Sequence, residues 1–520
     1  MVVQVSLLKP HASKIMTHHT LYKSFAFSLL FVLAVSTAWA ENPASSTKPI
    51  DIGSRRELMV DDYLVDRFED GTRLELHHPT AREVVLKHDQ PWSGNNGSFY
   101  TAFKDGDLYR MYYLSAQFPS TPQDPPAHPL YACYAESKDG IHWRRPELGI
   151  IEHDGSKKNN IIWVGEEAHD FTPFKDTNPD CKPDAIYKAV GADHSNGGQK
   201  LKAYKSRDGI HWEKLQEEPV MKGHLFDSQN QAFWDPIDKL YRCYFRQTPA
   251  YQRQIWFATS KDFVNWTKGE PLRYPGCSEE QLYINVISRY YRAPHIFVGF
   301  PTRYVERGWL PSHDHLPDLE HRKIRSKVSL RHGTAVTEDL FMSSRDGLNF
   351  KRWEEAFIRP GPERNGNWSY GDGYQCMGLF ETPSDRPGAE NELSFYVDEN
   401  AWMPEHQLRR WTIRIDGFVS VNAPRSGGGF ITKPLVFDGK ELEMNFSSSA
   451  AGSIRVEIQD ADGKPIEGFT LADADETFGD TLARAATWKG KTDVSSLASK
   501  PVRLRFVMND ADLYSFKFKR

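Results

Sequence analysis

The chain has 520 residues, 65 Lys plus Arg against 70 Asp plus Glu, and a formal net charge of −5. That balance lacks the basic footprint that nucleic-acid binding requires, and five cysteines over this length do not make a disulfide scaffold. Aromatic residues make up 13% of the chain, which suits pleated, half-buried strands and also surfaces that stack on sugar rings.

Residues 1–40 read as a secretion signal. Lys14 and Lys23 supply positive charge, Phe25 to Val35 a short apolar run, and Ala38 and Ala40 the small residues of a cleavage point. The run is too short to span a bilayer comfortably and no later segment approaches that length. The expectation is a periplasmic or secreted mature chain with no transmembrane segment. Removing residues 1–40 takes away Lys9, Lys14 and Lys23 and no acid, so the net charge moves from −5 to −8.

Downstream, one pattern recurs: Ser137-Lys-Asp-Gly-Ile-His-Trp143, Ser206-Arg-Asp-Gly-Ile-His-Trp212, Ser260-Lys-Asp-Phe-Val-Asn-Trp266 and Ser344-Arg-Asp-Gly-Leu-Asn-Phe350, with a degenerate fifth copy at Arg414 to Ser420. The aspartates at 139, 208, 262, 346 and 416 are 69, 54, 84 and 70 residues apart. Asp-Gly between alternating apolar runs signals a β-hairpin, because glycine tolerates positive φ and Asp bonds back to the turn. Units of this length suit four strands plus loops, one propeller blade each. Glu57 to Val65 is one more strand-like run, read as closing the ring with the last blade. After Arg425-Ser-Gly-Gly-Gly429 the alternation becomes regular at period two, as in Leu442/Met444/Phe446 and Val502/Leu504/Phe506, which suits a small antiparallel sandwich. The predicted fold is therefore all-β: a five-bladed propeller over 41–425 and a β-sandwich over 426–520. Cys133 and Cys243 read as buried thiols, while Cys181 and Cys277 lie in loop-like sequence where pairing stays open.

This combination of propeller, Ser-x-Asp-Gly-x-x-Trp hairpins and appended sandwich resembles the invertase, levanase and arabinanase group of glycosidases. The resemblance implies a carbohydrate substrate and three carboxylates lining the funnel, on the first strands of blades one to three. The chain departs from the group where Pro91-Trp-Ser-Gly-Asn-Asn-Gly97 replaces its Trp-x-Asn-Asp-Pro-Asn signature, and its Arg-Asp-Pro and Glu-Cys motifs are missing.

Glycoside hydrolysis usually needs one protonated and one ionised carboxyl group on either side of the bond. The resemblance implies the roles: Asp227, where blade three should begin, matches the family acid and is the expected proton donor, and Asp176, where blade two should begin, the stabiliser. The third carboxylate is assigned to Asp62, with Asp61, Asp89 and Asp372 as alternatives; Asp61 and Asp62 are adjacent, so one at most points inward from a strand. Tyr283, Asn285, Arg292, His295 and Arg303 form a second constellation for a carboxylate, sulfate or sugar hydroxyl. Asn95 and Asn230 are further polar contacts, and Trp92 and Trp368 are candidate sugar-stacking platforms. The insertion at 304–334 carries His313, His315 and His321, a weak metal spacing, and reads as a rim or oligomer-contact loop. No metal ligands are assigned and no cofactor is expected, though this architecture has room for a structural cation on the propeller axis. Two alternatives accompany the glycosidase reading: a non-catalytic carbohydrate-binding propeller, and a polysaccharide lyase using His295 and Tyr283.

Overall fold

The computed structural model describes residues 48–118, 127–196 and 199–520. The segment read as a secretion signal lies outside the described residues. The fold is a five-bladed β-propeller with a C-terminal β-sandwich, and strands far outnumber helices.

Each blade is an antiparallel sheet whose strands follow in chain order from the axis outward. Blade I begins with Asn96–Asp105, Leu108–Ala116 and Tyr131–Ser137, and blade II with Thr172–Lys175, Tyr187–Asp193 and Lys200–Ser206. Blade III uses Gln231–Asp235, Leu240–Gln247 and Gln254–Ser260. Blade IV uses Ile287–Tyr290, Ala293–Gly299 and Met342–Ser344, extended by Thr302–Val305 and Val336–Asp339. Blade V uses Phe380–Thr382, Glu392–Glu399 and Gln407–Arg414. Its outermost strand comes from the other end of the chain: Thr80–Lys87 pairs antiparallel with Gln407–Arg414 and closes the ring.

The recurrent motif is the turn between the third and fourth strands. In blade II, Asp208 Oδ1 accepts the N–H groups of Ile210 and His211 at 2.8 Å, and Ser206 Oγ accepts the Gly209 N–H at 2.9 Å. Gly209 is needed twice over. Its φ is +78°, and a Cβ there would lie 2.7 Å from the Tyr112 hydroxyl, which donates to the Gly209 carbonyl at 3.0 Å. Tyr244 bonds Gly347 in the same way, and Tyr396 bonds Gly140 across the closing seam. The hairpin glycine is thus a socket for a tyrosine of the preceding blade. Blade III carries Phe263 at φ +67° instead, packed edge-on against Phe174.

The sandwich is built around two long strands, Glu441–Asp460 and Val502–Lys519, paired along most of their length. Their alternating side chains, among them Phe446, Phe506 and Phe516, form its apolar core. Ile50–Gly53, Glu57–Leu58, Val65–Glu69 and Arg73–Leu76 join the same sheet, as does Val419–Ala423. Glu57 to Val65 therefore does not close the ring: Glu57 and Leu58 pair with Phe516 and Ser515. Alternation made that run look like a blade strand, whereas the true closing strand, Thr80–Lys87, mixes polar and apolar residues without alternation and buries only Leu86 fully.

Propeller and sandwich meet over buried charge. Glu57, fully buried, accepts from Arg55 at 2.6 Å and Arg345 at 3.0 Å and lies 3.2 Å from His295. Asp416, in the degenerate fifth motif, accepts from Tyr290 at 2.8 Å and Ser515 at 2.7 Å. All five cysteines are unpaired, Cys181 and Cys277 included.

Candidate active site

In an antiparallel blade, the first–second and third–fourth turns lie at one end, and the second–third turns and incoming connections at the other. The Asp hairpins mark the first end. The second end, where inner strands begin, encloses a cavity of about 230 Å³ to which all five blades contribute. Blade I supplies Asn96 and Ser98, blade II His169, blade III Asp227, blade IV Tyr283, and blade V Tyr370 and Tyr374. Arg331 and His332 reach it from the 304–334 insertion, which forms the helices Leu319–Val328 and Leu330–Thr334.

Asp227 is the one carboxylate among the described residues lining this cavity. Its Oδ2 accepts from Arg246 Nη2 at 2.6 Å. Burial works to raise the Asp227 carboxyl, but Arg246, His169 and His194 outweigh it and hold the group below the usual carboxylate range. Such a carboxylate stays ionised, which suits a base, nucleophile or ligand and does not suit the proton donor expected from the sequence. Arg246 is 4% exposed, lies 4.7 Å from the Tyr283 ring centre, and keeps Nε and Nη1 without a partner.

The opposite wall is aromatic. The Tyr283 and Tyr370 hydroxyls are 2.8 Å apart, Arg331 lies over the Tyr370 ring at 5.0 Å, and His332 stacks on Tyr370 at 5.7 Å. Burial, with Arg331 and Arg325 beside it, pushes the His332 imidazole down to about 4, so it is neutral at physiological pH. Trp402 closes the wall against His332 and Phe118. It also borders a larger cavity of about 780 Å³, lined by Asp89, Asn95, His128 and Asp154 among others, between the starts of blades I and V.

Of the residues expected at the funnel, Asp227 and Tyr283 line the axial cavity and Asn95 lines its neighbour. Asn230 and Asn285 are buried beneath it. Asn230 donates to the Phe226 and Ser228 carbonyls and to Asp170, fixing the loop that carries Asp227, and Asn285 donates to the Gln229 carbonyl. Asp176 is a correction. It follows the blade II inner strand rather than preceding it, so it lies at the hairpin end, bonded to Lys188 and the Tyr241 hydroxyl. Asp62 is exposed in a turn of the sandwich sheet, and the adjacent Asp61 pairs with Arg345. Arg292 and His295 follow the first–second turn of blade IV and meet Asp416 and Glu57 at the sandwich junction, so the Tyr283/His295 elimination pair is not assembled. Arg303 pairs with Glu280 and Glu338 outside the cavity. Trp92 donates to Asn160 and packs on the blade I core, while Trp368 donates to the Gly361 carbonyl; neither lines a cavity described here. His313 spends both ring nitrogens on the Leu310 and Thr334 backbone.

Sequence reasoning missed His169, His194, Arg246, Arg331 and Tyr370. His169 and Asp170 immediately precede an inner strand, and His194 follows a second strand. Counting turns alternately to the two ends would have brought these positions to the cavity.

Residues 95–282 match the family model of the glycosyl hydrolases family 32 N-terminal domain. The matched segment spans blades I to III, with His169, His194 and Asp227, and is what the chain shares with those enzymes, which act on O-glycosyl bonds. No curated protein matches the chain in sequence. Among solved structures, a glycoside hydrolase is similar at 14% identity, covering 65% of this chain and 92% of its own, with a TM-score of 0.41. A β-fructofuranosidase of Bombyx mori is similar at 10% identity over 86% of this chain and 94% of its own, with a TM-score of 0.37. A fructofuranosidase from Schwanniomyces occidentalis, complexed with fructosylnystose, is similar at 13% identity over 84% and 96%, with a TM-score of 0.35. Among the described residues no helix is long and apolar enough to cross a membrane.

Proposed function

We propose that the protein is an exported glycoside hydrolase that seats one terminal sugar unit in the axial cavity, with Asp227 as the ionised group at the reacting centre. The carrying observation is the Asp227–Arg246 ion pair at 2.6 Å in a cavity drawn from all five blades. At 230 Å³ the cavity is below the ~300–1,000 Å³ of drug-sized ligand sites, which favours a single ring and exo action. Tyr283, Tyr370 and Trp402 offer faces for a sugar ring, and Arg331 a cation for a hydroxyl, uronate or sulfate group. Export rests on the charge and apolar pattern of residues 1–40.

The test is a panel of neutral, uronic and sulfated oligosaccharides with wild type and Asp227→Asn. Sugar release by the wild type, reduced about 10²–10⁴-fold in the variant, is the expected result. Binding by both proteins without turnover would replace this reading with the carbohydrate-binding propeller, which the lone carboxylate would then explain.

A further inference from the structure

We infer that His169, His194 and Asp227 hold one divalent transition-metal ion of the zinc type at the floor of the axial cavity. This rests on the reading of that cavity as the reacting centre. One donor atom of each residue lies within 4.8 Å of the other two. Ligand bonds of ~2.0–2.2 Å put the donors of one tetrahedral ion a little over 3 Å apart, so modest side-chain rotation closes the set.

A second observation points the same way. Nδ1 of His169 and Nε2 of His194 are buried without a hydrogen-bond partner. Asp170 Oδ2 lies 3.5 Å from that His194 nitrogen, too far for a hydrogen bond. A buried ring nitrogen without a partner is costly, and here two of them stand in one cluster with a carboxylate. Asp170 is itself locked by the Ala192 N–H at 2.7 Å and by Asn230, which leaves it unavailable as a partner for the His194 nitrogen. Together Asp170 and Asp227 offset the charge of a dication.

The donor set selects the metal. Two imidazoles and one carboxylate suit zinc and its neighbours, whereas calcium and magnesium take oxygen ligands. Three protein ligands leave a further position, and His169 and Asp227 both line the cavity, so that position opens toward the sugar site. An ion there lowers the pKa of bound water toward ~7, which bears on a hydrolase whose cavity has a single carboxylate.

The experiment uses the full chain, purified without a polyhistidine tag, stripped with chelator and titrated with zinc chloride by calorimetry and elemental analysis. Expected is one tightly held equivalent, lost in His169→Ala and His194→Ala and kept in the exposed control His142→Ala. Should those variants misfold, cobalt(II) loaded into the wild type decides, through the intense visible absorption of a low-coordinate nitrogen–oxygen site. Absence of tight binding, zinc held equally by both histidine variants, or a hexa-aquo-like cobalt spectrum would each overturn the inference. A protein that holds zinc but cleaves no glycoside would sink the proposed activity alone. Glycoside cleavage by a protein that binds no zinc tightly would sink the metal alone.

Discussion

Glu57 offers the sharpest quantitative test of how sandwich and propeller are joined. Burial works against its ionised form, but His295, Arg345 and Arg55 prevail, and the carboxyl is pulled from its ordinary 4.5 down to about 2. A folded-state pKa below the unfolded one contributes stability that is complete above about 4.5 and is lost as the pH falls toward 2. The gap corresponds to about 3 kcal/mol at neutral pH and about 1 kcal/mol at pH 3. Glu57→Gln keeps the shape and removes the charge, so it should cost about 3 kcal/mol at pH 7, within the range for breaking a buried ion pair. The same substitution should cost less than half of that at pH 3. Urea unfolding of both proteins at the two pH values measures the difference, and other titrating carboxylates cancel between wild type and variant. A loss under about 1 kcal/mol at pH 7, or one that does not shrink in acid, would refute an ionised Glu57 at the core of this junction.

Two further outcomes follow from the packing. Gly209→Ala sets a Cβ 2.7 Å from the Tyr112 hydroxyl at φ +78°, and should destabilise the chain by about 1–3 kcal/mol in thermal unfolding. In a Tyr112→Phe background the added loss should be smaller, and an equal loss in both would show that backbone strain alone matters. Trp402→Ala removes the wall shared by the two cavities and should raise KM for a cleaved oligosaccharide about tenfold, roughly 1.4 kcal/mol, with kcat little changed. A fall in kcat at constant KM would instead assign Trp402 to the reacting geometry.

The propeller was legible because its hairpins are written locally. Ser206, Asp208 and Gly209 bond to one another, and the same words recur wherever the same turn is built. The ring closure was not, since Thr80–Lys87 is an outer strand with little apolar alternation and takes its pairing from a strand some three hundred residues on. The site was half legible. Asp227 and Tyr283 were found because they stand near the starts of inner strands. Asp176 was misplaced because a polar turn signal does not tell which end of a strand it follows. Arg292 and His295 failed for the same reason: they flank a turn at the hairpin end, and their charges serve the sandwich. His194 opens a three-residue 3-10 turn with no periodicity, and only the alternation of blade ends brings it beside His169.

The pairing of Ile50–Leu76 with the C-terminal strands, and of Thr80–Lys87 with blade V, bears on how the molecule comes into being. Residues 50–87 have their partners beyond residue 400, so four blades can condense in order while both the ring and the sandwich wait for those distant strands. The non-local pairings impose a late, slow closing step. They also make the sandwich a clasp rather than a detachable appendage. A chain cut after the fifth blade would keep its cavity residues but leave Ile50–Leu76 as unpaired strand edges, the kind of surface that draws chains into aggregates.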